Sequence, residues 1–335
     1  MSVPRDEKFR MPPEWARHRG CWMGWPCHGD TPDLEATRDA YAAVARAIAR
    51  FEPLLMVARP ADLEDARRRC GKSVQIKGVP IDDAWTRDTG PTYLVDGRGG
   101  LAGVDWRFNC WGEIYEGWEN DRVLGRWMLE DSNALRFEAP IFLEGGAIHT
   151  DGQGTLLTTD NVVLNPNRNP GLTRKEADEV FRAFLGVEDV IWLENALEVD
   201  STDGHVDNLA CFVRPGVVAV LMEPDPNDSH HEALTENLRR LRKAKDASGR
   251  PLEILEFQQP ARREFRGDRI GMSYVNHYIA NGGVVFPVFD DPADAPALEL
   301  ARRAYKDREI APVPGLEIVK SEGCVHCITQ QIPQP

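Results

Sequence analysis

The chain has 335 residues, 42% of them hydrophobic and none in a low-complexity block, which is enough to bury a large core. Its 54 acidic against 40 basic side chains give a formal net charge of −14, which argues against nucleic acid and anionic membranes as partners and suits a cationic small molecule. The N-terminal Met1-Ser2-Val3-Pro4-Arg5-Asp6-Glu7-Lys8 lacks the apolar core of a signal peptide, no run reaches membrane-spanning length, and the seven irregularly spaced cysteines do not form a disulfide framework, so a soluble cytoplasmic protein with reduced thiols is expected.

In chain order, apolar positions at Leu34, Tyr41, Val44, Ala45, Ile48 and Phe51 predict an amphipathic helix started by Thr31-Pro32-Asp33. A strand at 54–57, a helix over 61–70 and a strand at 74–77 lead into Asp82-Asp83-Ala84-Trp85-Thr86-Arg87-Asp88. From there a rhythm sets in. Strands 91–95 and 101–106 form a hairpin across Asp96-Gly97-Arg98-Gly99-Gly100, followed by a helix over 119–131 and a strand at 135–142. Hairpin 147–150/155–159 precedes a helix over 173–185 and strand 190–193. Hairpin 206–213/217–222 precedes a helix over 229–245 and strand 252–257. Hairpin 274–280/284–289 precedes a helix over 293–307 and strand 316–320.

Hairpin, helix and strand thus recur four times, and the N-terminal part supplies material for a fifth unit. Such ββαβ units cannot bury their own faces and stack on one another, most economically as a ring. In each unit the richest polar cluster follows the helix-linked strand: Asp83 to Asp88, Glu144-Gly145-Gly146, Asp203 to Asp207, and Gly323 to Cys327. Equivalent ends of pseudosymmetric units converge on one edge, so these distant segments are expected to share a pocket.

Each cluster has an ordinary and a chemical reading. His205 and Asp207, two apart on a strand, share a face, as a solvated pair or as an acid/base beside a cation anchor. Arg87 and Asp88 form either a surface salt bridge or, through Asp88 and Trp85, a guanidinium site, since a carboxylate takes a guanidinium bidentately and an indole face attracts cations. Glu144 before two glycines is a turn or a carboxylate with close backbone approach. Cys324 and Cys327 allow three readings: a redox pair, half of a metal site, or a single nucleophile at Cys327 working with His205. Cys327 is expected just past the end of strand 316–320. His326 is read as setting local polarity.

Nearly end to end, the chain resembles the agmatine-deiminase family of the peptidyl-arginine-deiminase-like, guanidino-group-modifying superfamily. The resemblance is carried by Met11-Pro12-Pro13-Glu14-Trp15, Trp22-Met23-Gly24-Trp25-Pro26, Asp83-Ala84-Trp85-Thr86-Arg87-Asp88-Thr89-Gly90-Pro91, Leu143-Glu144-Gly145-Gly146, Leu164-Asn165-Pro166-Asn167-Arg168-Asn169-Pro170, Gly204-His205-Val206-Asp207-Asn208, Ser273-Tyr274-Val275-Asn276 and His326-Cys327-Ile328-Thr329-Gln330-Gln331. It implies one catalytic domain over 1–335, a five-bladed α/β-propeller, and hydrolysis of agmatine to N-carbamoylputrescine and ammonia without metal or cofactor. It also implies a homodimer. Carried over by motif, Cys327 is the nucleophile, His205 the acid/base, Asp88 and Asp207 the guanidinium ligands, Glu144 a further pocket carboxylate, and Trp85 a wall. Two segments depart from the family pattern: Ser321-Glu322-Gly323-Cys324-Val325 lacks its glycine run and asparagine, and Asn109 to Trp118 differs after the Trp111-Gly112 step. Both bear on the substrate's tail, for which Glu113, with Glu116, is the candidate ligand. Free arginine, or another guanidino compound, is the alternative substrate, and a redox or metal-binding role for Cys324 and Cys327 the remote one.

Overall fold

A computed structural model describes every residue except Met1, Asn195 and Val199. Its strands form five mixed sheets, four of them an antiparallel pair extended by one parallel strand and the fifth a pair extended by two. Thr92–Val95, Leu101–Arg107 and Leu135–Phe142 make one; Ile148–Thr150, Thr155–Thr159 and Asp189–Leu193 the next; Ala210–Arg214, Val217–Met222 and Glu253–Gln258 a third; Tyr278–Ala280, Gly283–Val288 and Glu309–Pro314 a fourth. The crossovers within these sheets carry the helices Asp121–Asp131, Arg174–Leu185, His231–Lys243 and Asp294–Ala304. Each middle strand is covered on both faces, which is why Thr155–Thr159, Val217–Met222 and Gly283–Val288 are buried almost throughout instead of alternating.

The remaining sheet is built from both ends of the chain. His18–Gly24 pairs in parallel with Leu54–Ala58, which pairs in parallel with Val74–Gly78, while the antiparallel partner of His18–Gly24 is Thr329–Pro333. The N-terminal segment therefore completes a fifth unit only with the last strand of the chain. Its helix Leu34–Ile48 starts where Asp33 accepts the Ala36 N–H at 3.0 Å, a side-chain N-cap.

Two expectations are corrected. Residues 316–320 are not a strand: Leu316–Val319 is a single helical turn, and the strand of that unit is Glu309–Pro314. Ala311 and Val313 alternate inward, and Pro312 and Pro314 are accommodated because this strand lies at the sheet edge, where an N–H is dispensable. Cys327 consequently does not follow a strand; it lies two residues before the strand Thr329–Pro333. Likewise, 206–208 is a 3-10 turn and its strand begins at Ala210. A two-stranded ribbon, Glu264–Phe265 with Asp268–Arg269, was not foreseen. No helix among the described residues is long and apolar enough to cross a membrane.

Candidate active site

The polar segments that follow the last parallel strand of four of the units meet at the base of a cavity of about 370 Å³. Asp88 and Cys327 lie on its wall with Trp85, Trp111, Asp83 and Asp200. His205, Glu144 and Asp207 lie directly beneath, each at most 1% exposed. Gly146 marks the meeting point: a Cβ there would come within 2.5 Å of His205 Nδ1, 2.9 Å of Asp207 Oδ2 and 3.0 Å of Asp88 Oδ1. Only glycine lets the backbone pass between these groups. Its N–H donates to Asp88 Oδ1 at 2.9 Å.

Cys327 Sγ accepts from Asn276 Nδ2 at 3.1 Å and its S–H is 3.5 Å from Asp207 Oδ2. Burial, then the carboxylates of Asp207 and Asp88, push this thiol well above its ordinary range. Asp88 Oδ2 accepts the Trp111 indole N–H at 3.0 Å. Burial raises Asp88 to about 6; His205 opposes this, and the charges of Asp207 and Glu144 add to it. Asp207 is held below the usual carboxylate range, because His326, His205 and Arg87 outweigh its burial. Its Oδ1 is buried and has no hydrogen-bond partner.

His205 Nε2 faces Glu144 Oε2 at 3.4 Å, and its Nδ1, 3.8 Å from Asp88 Oδ1, is buried without a hydrogen bond. Burial alone would depress this imidazole, but Asp88 and Glu144 raise it to about 9. Glu144 is fixed in turn by Arg168 Nε at 2.9 Å, and Arg168 also pairs with Asp203. The carboxyl of Glu144 stays below its ordinary range, since His205 and Arg168 overcome its burial.

All five expected core residues (Cys327, His205, Asp88, Asp207 and Glu144) therefore come together. His205 and Asp207 do so from a 3-10 turn, not from one face of a strand. Trp85 lines the cavity, its ring packed so closely on Gly323 that a Cβ there would lie 2.3 Å away, and its indole N–H donates to Asp83 at 2.8 Å. Glu113 does not face the cavity: it is exposed, and Ile114 and Tyr115 supply the lining from that loop. Arg87 does not pair with Asp88 at the surface. It is 2% exposed and bonds Glu14 at 3.2 Å and Gln331 at 2.9 Å. Residues given no catalytic or binding role from sequence, namely Glu14, Trp111, Arg168, Asn276 and His326 (the last read only as setting local polarity), all contact the core group or its partners. Four of them lie inside the family-like motifs, and membership of a dense motif was the signal available; Trp111 lies in a segment that departs from the family pattern.

Cys324 is a buried free thiol raised to about 12, chiefly by burial. Glu14, His149 and His326 place potential ligand atoms within 4.8 Å of one another. A cation fits this group poorly. His149 Nδ1 accepts the Phe212 N–H at 3.2 Å, so its Nε2 carries the proton toward Glu14, and the Arg87 guanidinium already faces the same carboxylate.

The model of the Porphyromonas-type peptidyl-arginine deiminase family matches residues 10–333. Agmatine deiminase of Pseudomonas aeruginosa (strain LESB58) is 42% identical over 366 residues, covering 100% of this chain and 98% of that protein. The solved agmatine deiminase of Enterococcus faecalis, described as catalysing its reaction, superposes with a TM-score of 0.96 at 33% identity over 100% of this chain and 98% of that one. A Cys→Ser variant of the C. jejuni agmatine deiminase with substrate bound superposes with a TM-score of 0.89 at 26% identity, covering 97% and 96%.

Proposed function

The chain belongs to the Porphyromonas-type peptidyl-arginine deiminase family, and from that premise we propose that it hydrolyses agmatine to N-carbamoylputrescine and ammonia through an amidino-cysteine intermediate at Cys327. One observation supports this above others: a thiol, two carboxylates and a carboxylate-backed imidazole from four different units share one cavity base. The same reading makes the five sheets the blades of a pseudosymmetric α/β-propeller forming one domain over 1–335, and places the protein in the cytoplasm, where its seven cysteines stay reduced.

A guanidinium between Asp88 and Asp207 finds an unpartnered oxygen on Asp207 and cancels the charges that keep Cys327 protonated. Substrate cation thus promotes its own attack. Cys327 gives up its proton to solvent as the cation binds; the thiolate adds to the guanidinium carbon, the C–N bond to a terminal nitrogen breaks, and His205 gives that nitrogen a proton as ammonia leaves. His205, now a base, takes one proton from water, whose oxygen adds to the amidino carbon; collapse expels the thiolate and releases the second water proton to solvent, leaving the ureido product. Asp88 and Asp207 hold charge and approach throughout.

A second reading, free arginine, is favoured by one feature. Arg269 is 3% exposed on the cavity wall and leaves Nε and Nη2, the edge that grips a carboxylate, without partners. Ammonia release across agmatine, arginine and simpler guanidines decides between the two. Agmatine should give the highest kcat/KM and Cys327→Ala should abolish turnover. No ammonia from any guanidine would sink the proposal.

A further inference from the structure

Behind the cavity runs a line of buried ionisable side chains that the proposed chemistry does not consume. Asp207 Oδ2 faces His326 Nδ1 at 2.8 Å, and His326 Nε2 faces Glu14 Oε1 at 2.8 Å. Glu14 is also 3.2 Å from Arg87 Nη1 and, through Oε2, 3.4 Å from His149 Nε2. All five side chains are at most 3% exposed. Both nitrogens of His326 therefore address carboxylates. A neutral imidazole has one proton, so one 2.8 Å contact would set a lone pair against an anionic oxygen in a low-dielectric setting. An imidazolium makes both contacts hydrogen bonds and balances the charges two against two: Asp207 and Glu14 with His326 and Arg87. His149 and His277 also lie near this ring, and the Cys327 thiol beyond Asp207. His149 donates to Glu14, and burial first, with the charge of His326, holds His277 down at about 4 and so neutral.

We propose that His326 is a positioning residue: an imidazolium anchored by Glu14 that locks Asp207 Oδ2 in place and keeps the free Oδ1 ionised for the guanidinium before substrate arrives. This rests on the guanidine-hydrolysing reading. The direction of the titrations agrees, since Asp207 and Glu14 are held low and His326 high against the cost of burial.

Two substitutions split the two contacts. The Asn amide nitrogen stands where Nδ1 does and can still donate to Asp207; the Gln amide nitrogen stands near Nε2 and reaches only Glu14. His326→Gln should raise KM for agmatine by about tenfold or more, with a smaller change in kcat, and move the acid limb of kcat/KM to higher pH. His326→Asn should restore most of KM. Equal damage from both, with an unmoved acid limb, would mean His326 only fills space. Nitrogen-15 NMR of histidine-labelled wild-type protein provides an arm independent of turnover and of variant folding. Both ring nitrogens of His326 should be protonated at pH 8, and a neutral imidazole there overturns the proposal. If the wild type hydrolyses no guanidine, the functional reading fails while the NMR result still decides the pairing.

Discussion

Asp88 and His205 face each other across 3.8 Å with opposite protonation demands, and burial of the one and carboxylate neighbours of the other set both titrations inside the range an assay can reach. Asp88, raised to about 6 by burial, must be ionised to hold a guanidinium, so substrate capture is lost as pH falls through that value. His205, which Asp88 and Glu144 lift to about 9 despite burial, must be charged to protonate ammonia, so activity falls as pH rises through it. The free enzyme's titrations govern kcat/KM, which is therefore expected to be bell-shaped with limbs near these two values. Removing the anion behind the imidazole by Glu144→Gln should bring the alkaline limb to lower pH, and His205→Ala should lower kcat by about 10²–10⁴-fold. An acid limb at the ordinary carboxylate value would show that Asp88 is better solvated than its surroundings imply.

At the scale of elements, the loop from Cys110 to Glu113 carries the most strain. Four consecutive residues have positive φ: Cys110 at 53°, Trp111 at 50°, Gly112 at 91° and Glu113 at 65°. Three are not glycine, a conformation that persists only when neighbours enforce it. Asn109 does so, accepting the Gly112 N–H at 3.1 Å and donating to Asn167 O at 2.9 Å. The strain turns the Trp111 indole N–H onto Asp88 Oδ2. Trp111→Phe keeps the ring and deletes that donor, so Asp88 should titrate higher, moving the acid limb of kcat/KM upward and raising KM by up to about tenfold. Such a loop is not legible from sequence, where the same residues pointed to Glu113 instead. The four hairpin–helix–strand units were legible because their periods switch cleanly between two and 3.6 and their turns carry Gly, Asp and Pro. Strand Glu309–Pro314 was hidden by its two prolines, and Leu316–Val319 imitated a strand because four residues with three apolar positions fit either period. The core residues were legible through chemistry-bearing types at equivalent unit ends. Their buried partners Glu14, Arg168 and His326 were not, since pairing across 24 to 312 residues leaves no local period.

At the scale of the molecule, the chain ends meet. Thr329–Pro333 adds to His18–Gly24, and Arg10 forms a bridge to Val95 in the neighbouring sheet, so the first and last segments are stitched into adjoining units. Cys327 is thus held by a strand whose one sheet partner among the described residues lies some three hundred residues away in sequence. This closing contact is non-local, so packing contributes much of its stability. Ile332, 3% exposed, seals it against Trp22, Tyr93, Leu124 and Met128. Ile332→Ala should therefore cost about 2–5 kcal/mol in denaturant unfolding. It should also reduce turnover beyond the fraction unfolded, since the strand that loosens begins two residues after the nucleophile. A loss under about 1 kcal/mol would mean the end strand contributes little to the fold, and unchanged activity at full destabilisation would detach the position of Cys327 from the closure of the chain.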